Sequence, residues 1–471
     1  MSFLSEKSEL MQAARRAAEL VCASDSVRVV SHYDADGLAA AGVVAESLRR
    51  MGKRFHLTIA HDLNGELVER LAQEKNDLTV FCDMGSGQLE LIQKLGRIII
   101  CDHHKPEKMQ QYLGDVVQIN AHIFGIDGTY EASASTIAFV LAVAMSESNW
   151  DLCQIALAGA VGDRQGINGL RGLNREIAEE GARRAHVSES IGLNISGAAE
   201  KKISCVISES DDPFFCELSG EPEKTRDWLS GAKIKDVPFV ELPEAKRRTL
   251  VSILAMRLLE QGARPEVAER LVGKRYLLKS LGGNGTDCEH MADLLNACGR
   301  SGKESFGVAL CMNFPKYRKE AEALLDSYRK KVMEWVVRMN KEGIKEMKAI
   351  QYAAISDPSL AGTVMGLALN SFLNQEKPAI GISEQENKAK ISSRGTRYLI
   401  GKGLDLAYAL KVASESVGGY GGGHPIAAGA TIPKEKAEEF LKKLDEIVDV
   451  QLHPFKDASE VKRQAEGGAG A

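Results

Sequence analysis

Four short segments in the first third of the 471-residue chain carry acids and imidazoles at spacings that suit metal-assisted chemistry. They are His32-Tyr33-Asp34-Ala35-Asp36-Gly37, Asp83-Met84-Gly85-Ser86, Asp102-His103-His104-Lys105 and Gly162-Asp163-Arg164. If they converge, Asp34, Asp36, Asp83 and Asp163 bring several negative charges into a small space, where bare carboxylates repel. Two divalent cations would balance them, with His32 and His103 completing the coordination as neutral imidazoles. A mixed oxygen and nitrogen donor set favours Mn²⁺, with Mg²⁺ next. Zinc fits less well, because its sites usually have four ligands and often thiolates. Two ions about 3.5–4 Å apart can activate a water and stabilise a leaving oxygen, which is the chemistry of phosphoester hydrolysis. The substrate phosphate then needs further donors, for which His104, Arg164 and Arg394 are candidates; His104 could instead assist the leaving group.

These motifs need elements that bring them together. Apolar runs at 27–30, 55–60, 78–82 and 98–101 read as strands, and the stretches 38–51, 65–75 and 87–95 between them have helical composition and period. Continuous apolar strands alternating with helices imply a parallel sheet covered on both faces, whose ligands gather at the C-terminal strand ends. Three of the four motifs directly follow an expected strand; the fourth follows an expected helix at 151–161. His32, Asp34 and Asp36 occupy alternate positions and would face one side while the chain stays extended.

The fold class expected is α/β. A parallel-sheet domain spans 1–194, and an inserted module spans 195–300. A linker at 301–346 includes a long helix, a C-terminal α/β domain occupies 347–452, and the tail 453–471 reads as disordered at its end. In the linker, Ala321, Leu325, Tyr328, Val332, Trp335 and Met339 recur at intervals of four and three, which puts them on one face of a helix that bridges two domains. That stripe reads as packing and not as a base-stacking platform.

Composition limits the partners. Lys plus Arg number 60 against 65 Asp plus Glu, a formal charge of −5, so no global basic field exists and a nucleic-acid site must be local. Lys388, Lys390, Arg394, Arg397 and Lys402 supply such a patch, with no acid between them. Nearby, the glycine-rich stretch 418–425 reads as a loop in which Gly422, Gly423 and His424 let a phosphate approach the backbone. The nine cysteines form no C-x-x-C pair, which argues against a zinc ribbon or a disulfide scaffold. Cys82 and Cys101 read as small buried hydrophobes. The N-terminal segment is charged and amphipathic, unlike a secretory signal, and no apolar run reaches the roughly 20 residues that span a bilayer. A cytoplasmic protein without membrane contact is expected.

A lone D-x-D or H-H is usually surface decoration; four ordered motifs at element ends are not. HYDADG, DMGS, CDHHK and GDRQ resemble, in order and position, the motifs of DHH-superfamily phosphoesterases, and the likeness covers most of the first 190 residues. The resemblance implies that His32, Asp34, Asp36, Asp83, His103 and Asp163 hold two metals, Asp83 bridging them, and that His104 lies against the scissile phosphate. The segment from Gly418 to Pro425, followed by AAGA, is similar to the signature of the substrate-binding DHHA1 domain. Length and insertion resemble the archaeal RecJ-like proteins. That resemblance implies a Mn²⁺-dependent exonuclease on single-stranded DNA, with RNA as a further substrate, 5′→3′ polarity, the GINS complex as partner, and a role in replication and repair. Two alternatives remain open: a phosphodiesterase for short oligonucleotides, pAp or cyclic dinucleotides, and a replisome scaffold. Arg300 is either a residue that reaches the cleft or simply part of a helix end at Gly299.

Overall fold

The structure, a computed structural model, describes residues 3–5, 8–167, 169–198, 201–279 and 285–453. Apart from His453, the expected tail lies outside the described residues. The chain divides into two compact units. The first comprises the described residues of Met1–Ala199 and Val272–Tyr328, the second those of Glu200–Leu271 and Arg329–Ala471.

The first unit is built on a sheet of six strands: β1 (Ser26–His32), β2 (Arg54–Ala60), β3 (Leu78–Cys82), β4 (Ile98–Asp102), β5 (Tyr112–Leu113) and β6 (Val116–Asn120). They lie in the order β2-β1-β3-β4-β6-β5 and are parallel except at the β5 edge. Strands β3, β4 and β6 are buried along their whole length, as apolar strands covered on both faces must be. Alternate residues serve two cores. Val27, Val29, Val80, Cys82, Ile99 and Cys101 join one with helices Glu9–Cys22, Ala35–Arg50, Ala134–Met145 and Cys153–Gly162. Val30, Phe81, Ile98 and Ile100 join the other with helix Gly65–Ala72. The strand order reverses at β1, which pairs with both β2 and β3, so the crevice at the C-terminal ends of β1, β3 and β4 is the place where such a sheet binds ligands.

The domain boundaries differ from the sequence expectation. An inserted module ending at residue 300 would leave β8 (Val272–Leu278) outside the first unit, but β8 hydrogen-bonds antiparallel along β7 (Val187–Leu193), with β9 (Thr286–Asp287) beside it. Helices Cys288–Arg300 and Glu304–Cys311 then place Met291, Leu294, Leu295, Val308 and Cys311 in the first core. Gly42, on helix Ala35–Arg50, faces Cys311 so closely that a Cβ there would collide with the cysteine side chain. The insertion that belongs to the second unit is therefore 200–271. The long helix, Arg318–Glu342, contributes to the first unit through Tyr328 and to the second from Arg329 onward.

The second unit carries a mixed sheet in the order β10-β11-β12-β13-β15-β14. Its strands are β10 (Lys345–Glu346), β11 (Gln351–Ala354), β12 (Ala379–Glu384), β13 (Lys388–Arg394), β14 (Tyr420–His424) and β15 (Ala427–Pro433). The glycine-rich stretch is not a loop. It forms the edge strand β14, antiparallel to β15, because the absence of Cβ atoms lets the two backbones close in: a Cβ on Gly423 would stand 2.7 Å from Ala428 Cα.

Candidate metal centre

The three strand-end motifs and the motif after helix Cys153–Gly162 meet in the first unit. His32 ends β1. The chain does not stay extended beyond it: Asp34 caps helix Ala35–Arg50, its carboxylate accepting from Gly37 N at 3.0 Å, and Asp36 lies in the first helical turn. The convergence inferred from alternation is achieved by this turn. Asp36 is fully buried and accepts hydrogen bonds from Ala134 N (2.7 Å) and Ser135 N (3.0 Å), so it also holds the N-terminus of helix Ala134–Met145.

Asp83 follows β3 in a left-handed backbone conformation, φ 58°, rarely adopted by a residue with a Cβ; Arg164, beside Asp163, does the same at φ 59°. The two Asp83 oxygens face different partners. Oδ2 is 3.3 Å from His32 Nδ1, which is itself 3.1 Å from Asp34 Oδ2. Oδ1 is 3.3 Å from His103 Nε2 and 3.7 Å from His104 Nδ1. His103 also approaches Asp36 (3.9 Å) and Asp163 (3.8 Å). Three donor groups result: His32 with Asp34 and Asp83, Asp83 with His103 and His104, and Asp36 with His103 and Asp163.

Asp83 Oδ1 is buried yet accepts no hydrogen bond. An orphaned carboxylate oxygen is costly in a protein interior unless a cation satisfies it, so the residues present fit a metal pair. The donors are carboxylates and imidazoles. The neighbouring Cys82 and Cys101 thiols are held protonated by burial and take no part.

Without cations the centre takes up protons. Burial and then Asp83 raise the Asp36 carboxyl to about 6, and burial raises Asp163 to about 7. Burial would lower the His32 imidazole, but Asp34 and Asp83 outweigh it and raise it to about 10; reciprocally, His32 overcomes the effect of burial on Asp34 and holds that carboxyl at about 2. In His103, too, burial is outweighed by Asp83, Asp163 and Asp36, and the ring is raised.

Residues without an assigned role in the sequence reading hold these side chains in place. Asp102, fully buried, accepts from His103 N (2.8 Å), His104 N (3.1 Å), Ser86 N (3.1 Å) and His104 Nδ1 (2.9 Å). Its contact raises the His104 imidazole. His103 Nδ1 donates to Gly128 O at 2.6 Å, so that in the neutral ring the lone pair is on Nε2. Gln165 Nε2 shares its two N–H groups among Asp163 Oδ2 (2.8 Å), Gly128 O (2.9 Å) and Ala132 O (3.1 Å), while its Oε1 accepts from Asn174 Nδ2 (2.7 Å). His104 and Arg164 are exposed.

Arg394, Gly422, Gly423 and His424 belong to the second unit. Arg394 ends β13, donates Nη1 to Ser393 O at 2.8 Å and lies against Gly362 and Gly366 of helix Pro358–Ser371. Gly422 has open space where a Cβ would be, and His424 is exposed. Arg300 ends helix Cys288–Arg300 in the first unit and donates to Tyr328 Oη.

Residues 26–161 match the DHH family, N-terminal domain, and residues 348–449 the DHHA1 domain. An uncharacterised protein of Methanocaldococcus jannaschii is 33% identical over 435 residues, covering 90% of this chain and 94% of that protein. The chain belongs to the DHH family. Within it, the single-stranded-DNA-specific exonuclease RecJ of Bacillus subtilis is 24% identical over 472 residues, 95% of this chain but 48% of the relative, so this chain spans about half that protein's length. Among solved structures, RecJ of Thermus thermophilus in complex with Mn²⁺ aligns with TM-score 0.57 and 19% identity, over 93% of this chain and 54% of that one. CDC45 from Entamoeba histolytica aligns with TM-score 0.63 and 11% identity, over 93% and 97%. What this chain has in common with these two structures is a RecJ-like fold. No helix among the described residues is long and apolar enough to cross a membrane.

Proposed function

We propose that this DHH-family chain is a two-metal phosphodiesterase acting as an exonuclease on single-stranded DNA, with RNA as a second substrate, 5′→3′ polarity and Mn²⁺ preferred over Mg²⁺. The observation that carries the reading is Asp83: one buried carboxylate is shared between donor groups, and one of its oxygens accepts no hydrogen bond. His32, Asp34 and Asp83 would hold one cation, and Asp83, Asp36, His103 and Asp163 the other. The oxygen and imidazole donor set favours Mn²⁺. Cations held there would lower the pKa of a water and offset the charge developing on the leaving oxygen.

The protein's own residues do the rest. Gly128 O fixes the His103 ring so that Nε2 faces the centre. Asp102 accepts the Nδ1–H of His104 and favours the protonated imidazole, so that the Nε2–H of that ring is a donor to a substrate phosphate oxygen, and Arg164 supplies positive charge beside it. In the second unit Arg394, Gly422, Gly423 and His424 bind the polynucleotide backbone. The single-strand reading is supported by the RecJ names of the relatives. The family resemblance in the sequence supports GINS as partner and a role in replication and repair.

The test is a time course with single-stranded DNA labelled separately at each end, in Mn²⁺, beside matching RNA, with wild type and Asp83→Ala. Mononucleotide release from the 5′ label, abolished in the folded variant, is expected. Undiminished hydrolysis by Asp83→Ala refutes the mechanism; release from the 3′ label reverses the polarity. Turnover of dinucleotides alone points to the short-oligonucleotide alternative. GINS binding without turnover of any substrate points to the scaffold.

A further inference from the structure

The metal centre makes no use of the aromatic residue within its own first motif. The Tyr33 ring meets the His32 ring edge-on, centroids 4.6 Å apart, and is nearly stacked on His61, centroids 4.0 Å apart with 33° between the planes. Sheet register explains the pairing: β2 lies alongside β1 with Ala60 opposite His32, so His61 is the first residue past the end of the neighbouring strand. The Tyr33 backbone carbonyl lies against Gly299, where a Cβ would collide with it. Arg300, the next residue, donates to Tyr328 Oη, its guanidinium carbon 5.3 Å from the ring centroid.

Packing alone does not account for the stack. The His61 side chain is 65% exposed, and its nearest acid, Glu304, is 3.9 Å away, too far for a hydrogen bond. A ring so exposed gains little from removing apolar surface from water. Neither ring belongs to the first unit's hydrophobic core. What the pair does offer is an open aromatic face one residue from the metal ligand His32, with a guanidinium close by.

We propose that Tyr33 and His61 form a stacking shelf for the nucleobase next to the scissile phosphate, with Arg300 contacting the adjoining phosphate of the same strand. The inference rests on the polynucleotide reading above. Stacking on an aromatic face tolerates any base, because every base has a π-face, so the shelf grips the strand without reading its sequence.

The experiment compares kcat/KM of the full-length, Mn²⁺-loaded protein on single-stranded DNA carrying all its bases and on the same strand with one abasic residue, at the first or second nucleotide from each end in turn. Wild type is expected to prefer the intact strand about tenfold at one of these positions. His61→Ala should bring that ratio close to one, and His61→Phe should keep it; a melting curve of each variant checks that it is folded. Retention of the full wild-type preference by folded His61→Ala overturns the shelf, as does a wild type that cleaves both strands equally. A wild type that cleaves no polynucleotide overturns the reading beneath it instead, so the two failures are distinguishable.

Discussion

Gln165 is 3% exposed, and truncating it to Ala tests whether the metal ligands are pre-set by hydrogen bonds from behind. The change withdraws the two N–H groups shared among Asp163 Oδ2, Gly128 O and Ala132 O, and one bond accepted from Asn174 Nδ2. Gly128 O keeps its bond from His103, so three groups bear the loss. At about 1 kcal/mol for each buried group left without its bond, the metal-free protein should lose about 3 kcal/mol. The more telling effect is on Asp163. Freed from Gln165, its carboxylate can turn away from His103, and removing an outer partner of a metal ligand costs about 10- to 100-fold in metal affinity.

Urea unfolding of the chelated protein measures the first effect and calorimetric titration with Mn²⁺ the second. Asn174→Ala should weaken Mn²⁺ binding in the same direction but less, because Gln165 then keeps its bond to Asp163 while losing only the anchor on Oε1. Since Asn174 acts through Gln165, the double variant should bind Mn²⁺ no more weakly than Gln165→Ala alone. Lower stability with unchanged Mn²⁺ affinity would make Gln165 a core amide and nothing more, and additive losses in affinity would refute the relay.

Two further outcomes follow from the packing and charge of the first unit. Gly42→Ala should destabilise the protein by about 1–3 kcal/mol in urea unfolding, since the added methyl meets the Cys311 Cβ and must push helix Glu304–Cys311 away, and Cys311→Gly, which removes that Cβ, should lessen the further loss caused by Gly42→Ala; unchanged stability would refute the close approach of the two helices. Glu322 is held at about 2, burial being outweighed by hydrogen bonds from His290 (2.9 Å) and Arg318 (2.8 Å). Its folded value lies below the ordinary one, so the stabilisation is complete above the usual carboxylate range and is lost as pH falls from there toward 2. The pH dependence of stability between pH 5 and 2 should therefore be flatter in Glu322→Gln, and an identical slope would show that the contacts are not formed in solution.

The strands of the first sheet and the acids at their ends were legible because a strand buried on both faces must be continuously apolar, and such runs end abruptly at Asp83 and Asp102. The way His32, Asp34 and Asp36 meet was not: an alternating pattern reads equally as extended chain, and what decides for a helix is the Asp34 carboxylate capping Gly37 N. The composition of 418–425 likewise describes a loop as well as an edge strand, and only the partner strand β15, with small residues opposite each glycine, selects the strand. The return of 272–328 to the first unit depends on pairing between β7 and β8, distant segments whose own patterns are unremarkable. Gln165 and Asn174 look like any two amides until the fold buries them against Asp163. His61 is the extreme case. Nothing local marks it, and its meeting with Tyr33 follows wholly from the register that sets Ala60 opposite His32. A slip of one residue in that pairing would turn every β2 side chain to the opposite face and remove His61 from the edge of the metal centre. The register of the outer strand is thus part of the architecture of the site, although no residue of β2 itself is among the proposed metal ligands.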